Sequence, residues 1–295
     1  MRINGPMSSP AKKDRVQRAM TDDGAFRVMT ARTTETVREV LQAQGVKGQL
    51  GRALGELVTA AVLYRETMAP TLRVQIALKG AGESGTLLAD SHPDGWARGL
   101  VQRKADAPPF ELGEGAMMQL MRSLPNGELH QGVVHVPERS ISEAVMGYMR
   151  QSEQIETMAR VATVFEGDEV IAAGGYLVQI LPEAPDQEGA LLVMAQRLED
   201  DFASIDERLA KTDADAHELM EEILYAMPHT QLGDSGVRFD CDCSRARVMG
   251  SLASLGRDDI RSLVDDGEPL EMSCDWCDTQ YVIELPELQG LLSPS

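Results

Sequence analysis

Alternation of apolar and polar positions marks the first part of the chain as rich in strands. Gly24–Arg32 sets Ala25, Arg27 and Met29 on one face and Phe26, Val28 and Thr30 on the other. Leu72, Val74, Ile76 and Leu78 alternate with Arg73, Gln75 and Lys79, the period of a half-buried strand. Between these segments the apolar spacing becomes helical. Thr33 or Thr34 is placed to cap a helix running to Gln44 and ended by Gly45. Gln49–Met68 carries Leu50, Leu54, Leu57, Ala61 and Tyr64 at helical spacing before Pro70 stops it. Further strands are expected at Thr86–Asp90, Trp96–Gln102 and Gln131–Val136, and a short helix at Ile141–Gln151. Thr157–Phe165 and Val170–Leu181 should pair as a hairpin across Glu166-Gly167-Asp168-Glu169, with Gly174-Gly175 marking a bulge or a close backbone approach. Hairpins dominate over βα alternation, so the expected class is α+β with largely antiparallel sheets.

Gly80, Gly82 and Gly85 spell G-x-G-x-x-G after a strand, nominally a dinucleotide fingerprint. The segment that follows, Thr86–Asp90, reads as a returning strand instead of the helix whose N-terminus would hold a pyrophosphate, so a glycine-rich hairpin loop is expected. No Ser-His-Asp order, H-E-x-x-H or P-loop occurs, and no catalytic residue is assigned. Pro182 and Pro185 then break the pattern. Leu191, Ala195, Leu198, Phe202, Ile205 and Leu209 form a narrow apolar stripe on an acidic helix, and a second helix is expected from Thr212 or Asp213 to Met227, closed by Pro228. Two short charged helices bury too little to stand alone and must lean on a neighbour.

Charge sharpens this division. The chain has 28 Lys/Arg and 47 Asp/Glu, net −19. Residues 1–182 are nearly balanced at 20 and 21, whereas residues 183–295 hold 8 and 26. Such an acidic C-terminal part argues against a duplex nucleic acid or an anionic membrane as partner, and its self-repulsion calls for something extra to keep it folded. No apolar run reaches the ~18 residues of a membrane span, and the polar N-terminal leader lacks the apolar stretch of a signal peptide. A cytosolic location follows as the expectation. There, cysteines serve more often as ligands or redox thiols than as permanent disulfides.

All four cysteines lie near the C-terminus: Cys241-Asp242-Cys243, and after a gap Cys274-Asp275-Trp276-Cys277. Two close pairs of thiolates suit one tetrahedral Zn²⁺ with no open position. Ser244 should cap a helix carrying Val248, Leu252 and Leu255 and ended by Gly256; a second helix through Ile260, Leu263 and Val264 ends at Gly267. Glu268–Ser273 and Gln280–Leu285 are expected as strands with Cys274–Cys277 at their turn. Arg238, Arg245 and Arg247 are placed to offset thiolate charge, while Asp242, Asp275 and Asp278 oppose it. A module this small is close to the lower limit for folding on its own core, and bound zinc supplies on the order of 10–16 kcal/mol in comparable domains. A Cys241–Cys243 disulfide would need a bent backbone, whereas Cys274–Cys277 has turn geometry, so oxidation is expected to start at Cys274/Cys277.

The chain resembles the redox-regulated 33 kDa chaperonin family of heat-shock holdases. The resemblance is carried by Phe239–Ser244 with Arg247 and by Cys274-Asp275-Trp276-Cys277. It extends to Leu54-Gly55-Glu56-Leu57, to Met149-Arg150-Gln151-Ser152-Glu153-Gln154, and to the run Ala172–Gln179. Asp278 departs from the family's Gly or Asn, and a left-handed turn there is slightly costlier. The resemblance implies a reduced, inactive form with zinc on Cys241, Cys243, Cys274 and Cys277. It also implies an oxidised, zinc-free form with Cys241–Cys243 and Cys274–Cys277 disulfides, an unfolded linker, a homodimer, and unfolded client proteins held without ATP. The corresponding division is a leader (1–20), an α+β core domain (21–182), an acidic helical linker (183–233) and a zinc-binding redox-switch domain (234–295). Two other classes fit the cysteines alone. One is a structural zinc-ribbon module for nucleic acid, which the acidic C-terminal part opposes; the other is a thiol-disulfide oxidoreductase, which lacks a thioredoxin-like βαβ setting.

Overall fold

A computed structural model describes residues 13–123, 127–182, 184, 186–212 and 215–292. The chain forms two compact units, one ending at Phe239 and one beginning at Asp240. In the first, β1 (Arg15–Thr21) and β2 (Phe26–Arg32) form a hairpin, followed by α1 (Thr34–Gln44) and α2 (Gly48–Arg65). A meander follows: β3 (Val74–Lys79), β4 (Thr86–His92), β5 (Trp96–Gln102), β6 (Met117–Ser123) and β7 (Leu129–His135). α3 (Ile141–Tyr148) runs into a π-turn at Met149–Glu153, and β8 (Thr157–Glu166) and β9 (Glu169–Ile180) make the long hairpin. Then come α4 (Gln187–Phe202), α5 (Ile205–Thr212), α6 (Ala216–Ile223), β10 (His229–Gly236) and the short β11 (Arg238–Phe239).

These elements build a five-stranded sheet, β10-β1-β2-β9-β8, and a six-stranded sheet, β11-β5-β4-β3-β6-β7, so the fold is α+β as expected. All the pairings are antiparallel except the short β11–β5 contact. The five-stranded sheet is buried on both faces. Met29, Ala31, Ala173 and Leu177 join Leu54, Leu57 and Val58 of α2 and Ile76 and Leu78 of β3 in the main core. Phe26, Val28, Ala172, Tyr176 and Val178, on the opposite parity, form a second core with Met194, Leu198, Phe202, Ile205, Leu209, Leu219, Met220 and Ile223. The acidic helices thus lean on the sheet, and their net charge faces outward.

The structure departs from the sequence expectations in identifiable ways. The leader expected through residue 20 stops short, because Arg15–Thr21 form β1; residues 1–12 and Pro185 lie outside the described residues. The single acidic helix expected along Leu191–Leu209 is two helices, α4 and α5, although the stripe itself is buried as expected. Asp213, one of the two starts expected for the next helix, also lies outside the described residues; α6 begins at Ala216 behind an Asp215–Glu218 capping box. The segment assigned to the linker through residue 233 runs into β10, which pairs with β1 from Thr21↔His229 to Arg15↔Gly236. Thr33 does not cap α1 with its side chain. Buried Asp14 does so from outside the helix, accepting from the Thr36 backbone NH at 2.6 Å and from Thr36 Oγ1 at 2.8 Å while pairing with Arg32 at 3.0 Å. The glycine-rich G-x-G-x-x-G is the β3–β4 loop, closed by Gly80 NH donating to Gly85 O, and it leads into a strand. Gly174 and Gly175 mark a close approach: a Cβ on Gly175 would stand 2.2 Å from Arg160 O, while the register shift of this hairpin falls at Val164/Phe165.

The second unit contains α7 (Arg245–Ala253), α8 (Arg257–Asp265), β12 (Leu270–Ser273), β13 (Gln280–Ile283) and α9 (Leu285–Leu292). Its two strands pair from Leu270↔Ile283 to Ser273↔Gln280. Leu252, Ile283 and Leu288 make up its buried cluster, with Val248, Met249, Leu263, Val264 and others partly buried around them; Ile260 of α8 is the one further buried apolar side chain among the described residues of this unit. So few buried side chains leave a unit of this size close to the lower limit for folding on its own core.

Candidate metal centre

Two backbone turns bring the four thiols together. Cys274 and Cys277 sit in the turn between β12 and β13. There Cys274 O accepts from the Cys277 and Asp278 amides at 3.3 and 2.8 Å, and Cys274 NH donates to Thr279 O at 3.0 Å. Closing this turn puts Asp278 in the left-handed region at φ 57°, as the sequence anticipated. Cys241 and Cys243 precede α7. Cys241 NH donates to Asp240 Oδ1 at 2.8 Å, and Ser244 caps the helix by accepting from Arg247 NH at 3.3 Å, as expected.

All four sulfurs lie within 4.8 Å of one another. Cys241 Sγ is 3.8 Å from Cys274 Sγ, and Cys243 Sγ is 3.4 Å from Cys277 Sγ. A tetrahedron with metal–sulfur bonds of about 2.3 Å has sulfur–sulfur edges of about 3.8 Å, whereas a disulfide needs about 2.0 Å. The observed spacing therefore fits four thiolates around one ion. The donor set, all soft and half-buried with no carboxylate or imidazole among the ligands, suits a closed structural site.

Neighbouring groups tune the sulfurs. Burial works against charge on Cys277, but hydrogen bonds from the Thr279 hydroxyl (3.2 Å), the Thr279 amide and the neighbouring cysteines draw its thiol down to about 7. Burial pushes the Cys274 thiol up. Tyr281 donates its hydroxyl to Cys243 Sγ at 3.1 Å, and that bond pushes its own phenol up to about 12. Thr279 and Tyr281 were missed from sequence; the signal available was their period-two spacing after Cys277, which aims Thr279, just before β13, and Tyr281, within it, back at the cluster. Arg247 pairs with Asp242 and Arg245 with Glu287, while Arg238 belongs to the first unit and donates to Asp94 O at 3.0 Å.

A family model described as Hsp33 protein matches residues 14–284. The 33 kDa chaperonin of Syntrophotalea carbinolica is 27% identical over 293 residues, covering 95% of this chain and 100% of the relative. That of Bacillus licheniformis is 26% identical over 293 residues, covering 94% and 98%. The crystal structure of the 33 kDa chaperonin from Thermotoga maritima matches with a TM-score of 0.82 at 22% identity over 95% of this chain and 98% of that one, a likeness of fold.

Proposed function

Because this chain belongs to the Hsp33 family, we propose that it is an ATP-independent holdase that oxidation of Cys241, Cys243, Cys274 and Cys277 switches on. The observation that carries the reading is the meeting of four thiols in a unit with few fully buried side chains of its own. Zn²⁺, when bound, would hold these four sulfurs as thiolates and contribute the folding energy the small core lacks. A peroxide takes two electrons from each pair of thiols, is itself reduced to water, and leaves a disulfide. Two peroxides convert all four sulfurs, as Cys241–Cys243 and Cys274–Cys277. Disulfide sulfurs are no longer thiolate ligands, so the metal is lost and residues 240–295 unfold.

The docking of α4–α6 depends, on this reading, on that unit staying folded. Their release uncovers the stripe from Leu191 to Leu209, the buried side of α6 and the sheet face of Phe26, Val28 and Tyr176. Unfolding proteins bind there, with Met194 and Met220 supplying adaptable contacts. Two activated copies associate as a homodimer. A cytosolic location, with its reducing thiol pool, would hold the switch off; no helix among the described residues is long and apolar enough to cross a membrane.

The test is suppression of aggregation of a denatured client by the full chain, before and after peroxide, with zinc release followed in parallel. Activity should rise as zinc leaves. Loss of zinc without gain of activity would leave only a structural zinc module, and turnover of a disulfide substrate would make the protein an oxidoreductase. Mass spectrometry of partly oxidised protein should find the Cys274–Cys277 bond first; the Cys241–Cys243 bond appearing first would reverse the order.

A further inference from the structure

Two segments that carry the family resemblance, Met149–Gln154 and Ala172–Gln179, lie outside the thiol cluster itself. Both end at the same place. Gln154, in the left-handed region at φ 58°, and Gln179, at the end of β9, line a cavity of about 340 Å³ together with Arg27, Ile180, Leu181 and Leu191 of α4. The size lies at the small end of the range for small-molecule sites.

The polar floor of this cavity is unfinished. Arg27 and Gln179 are cross-strand partners in β2 and β9. Arg27 Nε and Nη2 both donate to Gln179 Oε1, at 3.0 and 2.7 Å, which fixes the orientation of the amide. Gln179 Nε2 must then point away from Arg27. It has no hydrogen-bond partner although the residue is only 1% exposed, a costly arrangement for a donor. Arg27 is half-buried, and its remaining bond, at 3.1 Å, goes to Thr67 O. Both its acceptors are neutral; burial alone acts on its acidity, and no carboxylate pairs with it among the described residues. A desolvated cation beside an orphan donor calls for an anion with a hydrogen-bonding oxygen. The walls set the rest of the ligand: Ile180, Leu181 and Leu191 are apolar, and exposed Glu156 and Glu188 at the rim repel a second negative charge.

We propose that this cavity binds a small amphiphilic monocarboxylate, its carboxylate on Arg27 and Gln179 Nε2 and its aliphatic body against Leu181 and Leu191. Leu191 belongs to α4, so the ligand ties the first acidic helix to the sheet. Binding would therefore hold α4 docked, and by linkage a ligand at ten times its Kd would reduce the open fraction of α4 about elevenfold.

The test uses the reduced, zinc-loaded full chain and octanoate, with octanol and octylamine as neutral and cationic controls. Titration calorimetry and methyl NMR should show saturable octanoate binding that shifts Leu181 and Leu191, with octanol much weaker and octylamine absent. Gln179→Glu places a carboxylate on Arg27 from within. It should fold normally by circular dichroism and lose octanoate binding, while Leu191→Ala should weaken binding and leave its sign preference unchanged. Hydrogen exchange of α4 should slow about elevenfold at ten times Kd. Equal binding of octanol and octanoate would overturn the role of Arg27, and no saturable heat or shift with octanoate would overturn the site. These readouts need no chaperone activity, so they stand or fall apart from the redox reading.

Discussion

Replacing Phe202 with alanine should turn the chain into a holdase that needs no oxidant. Phe202 closes α4 and is 1% exposed. Its ring meets Tyr176 of β9 edge-on, centroids 6.0 Å apart at 78°, and the Arg208 guanidinium lies 4.5 Å from its centroid. Truncating a buried phenylalanine costs about 3–5 kcal/mol, to which an edge-to-face pair contributes about 0.5–1.5 kcal/mol beyond area burial. That cost falls on the docked state of α4 and α5, because once the helices leave the sheet the ring is solvated in wild type and variant alike. Even about 3 kcal/mol raises the open population by roughly a hundredfold. Leu192, on the same helix and 68% exposed, supplies the control: Leu192→Ala should change little, within about 0.5 kcal/mol. The assay is hydrogen exchange of α4–α6 alongside client aggregation, both in reductant with zinc bound. Phe202→Ala should speed exchange in these helices and suppress aggregation, and Leu192→Ala should do neither. Fast exchange with no gain in suppression would show that the surface under the helices does not hold clients. Unchanged exchange would refute the docking energetics.

Other outcomes follow from the same structure. Cys243→Ser removes one of the four clustered thiols and the acceptor of the Tyr281 hydroxyl. It should lose stoichiometric zinc and the near-ultraviolet signal of Trp276 and Tyr281, matching chelator-stripped wild type in reductant; retention of one zinc per chain would overturn the four-sulfur site. Asp278→Gly relieves the left-handed turn at φ 57° and should tighten zinc binding about two- to fivefold, or about 0.5–1 kcal/mol, in a competition titration. Glu56 is pushed up to about 7 by burial, with the charge of Arg52 and the Thr163 amide acting against it and Asp206 adding to it. The unfolded chain ionises this group near its ordinary 4.5 while the native one resists until about 7, so in that window the unfolded state binds fewer protons. Stability from this group is therefore full at low pH, falls as pH rises from 4.5 to 7, and is level above. The ceiling is on the order of 3 kcal/mol at 1.36 kcal/mol per unit, reduced by the partial exposure of the side chain. Glu56→Gln should flatten that slope in urea titrations at successive pH values; a slope unchanged from wild type would assign it elsewhere.

What could be read from the sequence was what local spacing encodes. The cysteine knuckles, the Ser244 cap, the Gly45 stop and the long β8–β9 hairpin need only neighbours a few residues away, and each stands where it was expected. Elements that depend on distant partners were hidden. His229–Gly236 has little apolar content and becomes β10 only because β1 offers an open edge. Met117–Ser123, rich in methionine and weak in strand-forming residues, becomes β6 between β3 and β7. Asp14 looked like part of a polar leader, yet it caps a helix twenty residues on, a role no capping motif announces. The break between α4 and α5 is likewise invisible to periodicity, since the apolar stripe continues across it.

The strands on either side of the acidic helices belong to one sheet: β9 delivers the chain to residue 181, and β10 receives it back at His229 on the far edge. A segment detached from the sheet is then a loop fastened at both ends, like a strap unbuckled but still sewn to its bag. The entropy such a loop gains rises only with the logarithm of its length. Its return is a unimolecular event at high local concentration, needing neither a chaperone nor a second molecule. Once a reductant has restored the thiols, re-covering of the sheet should therefore follow first-order kinetics independent of protein concentration.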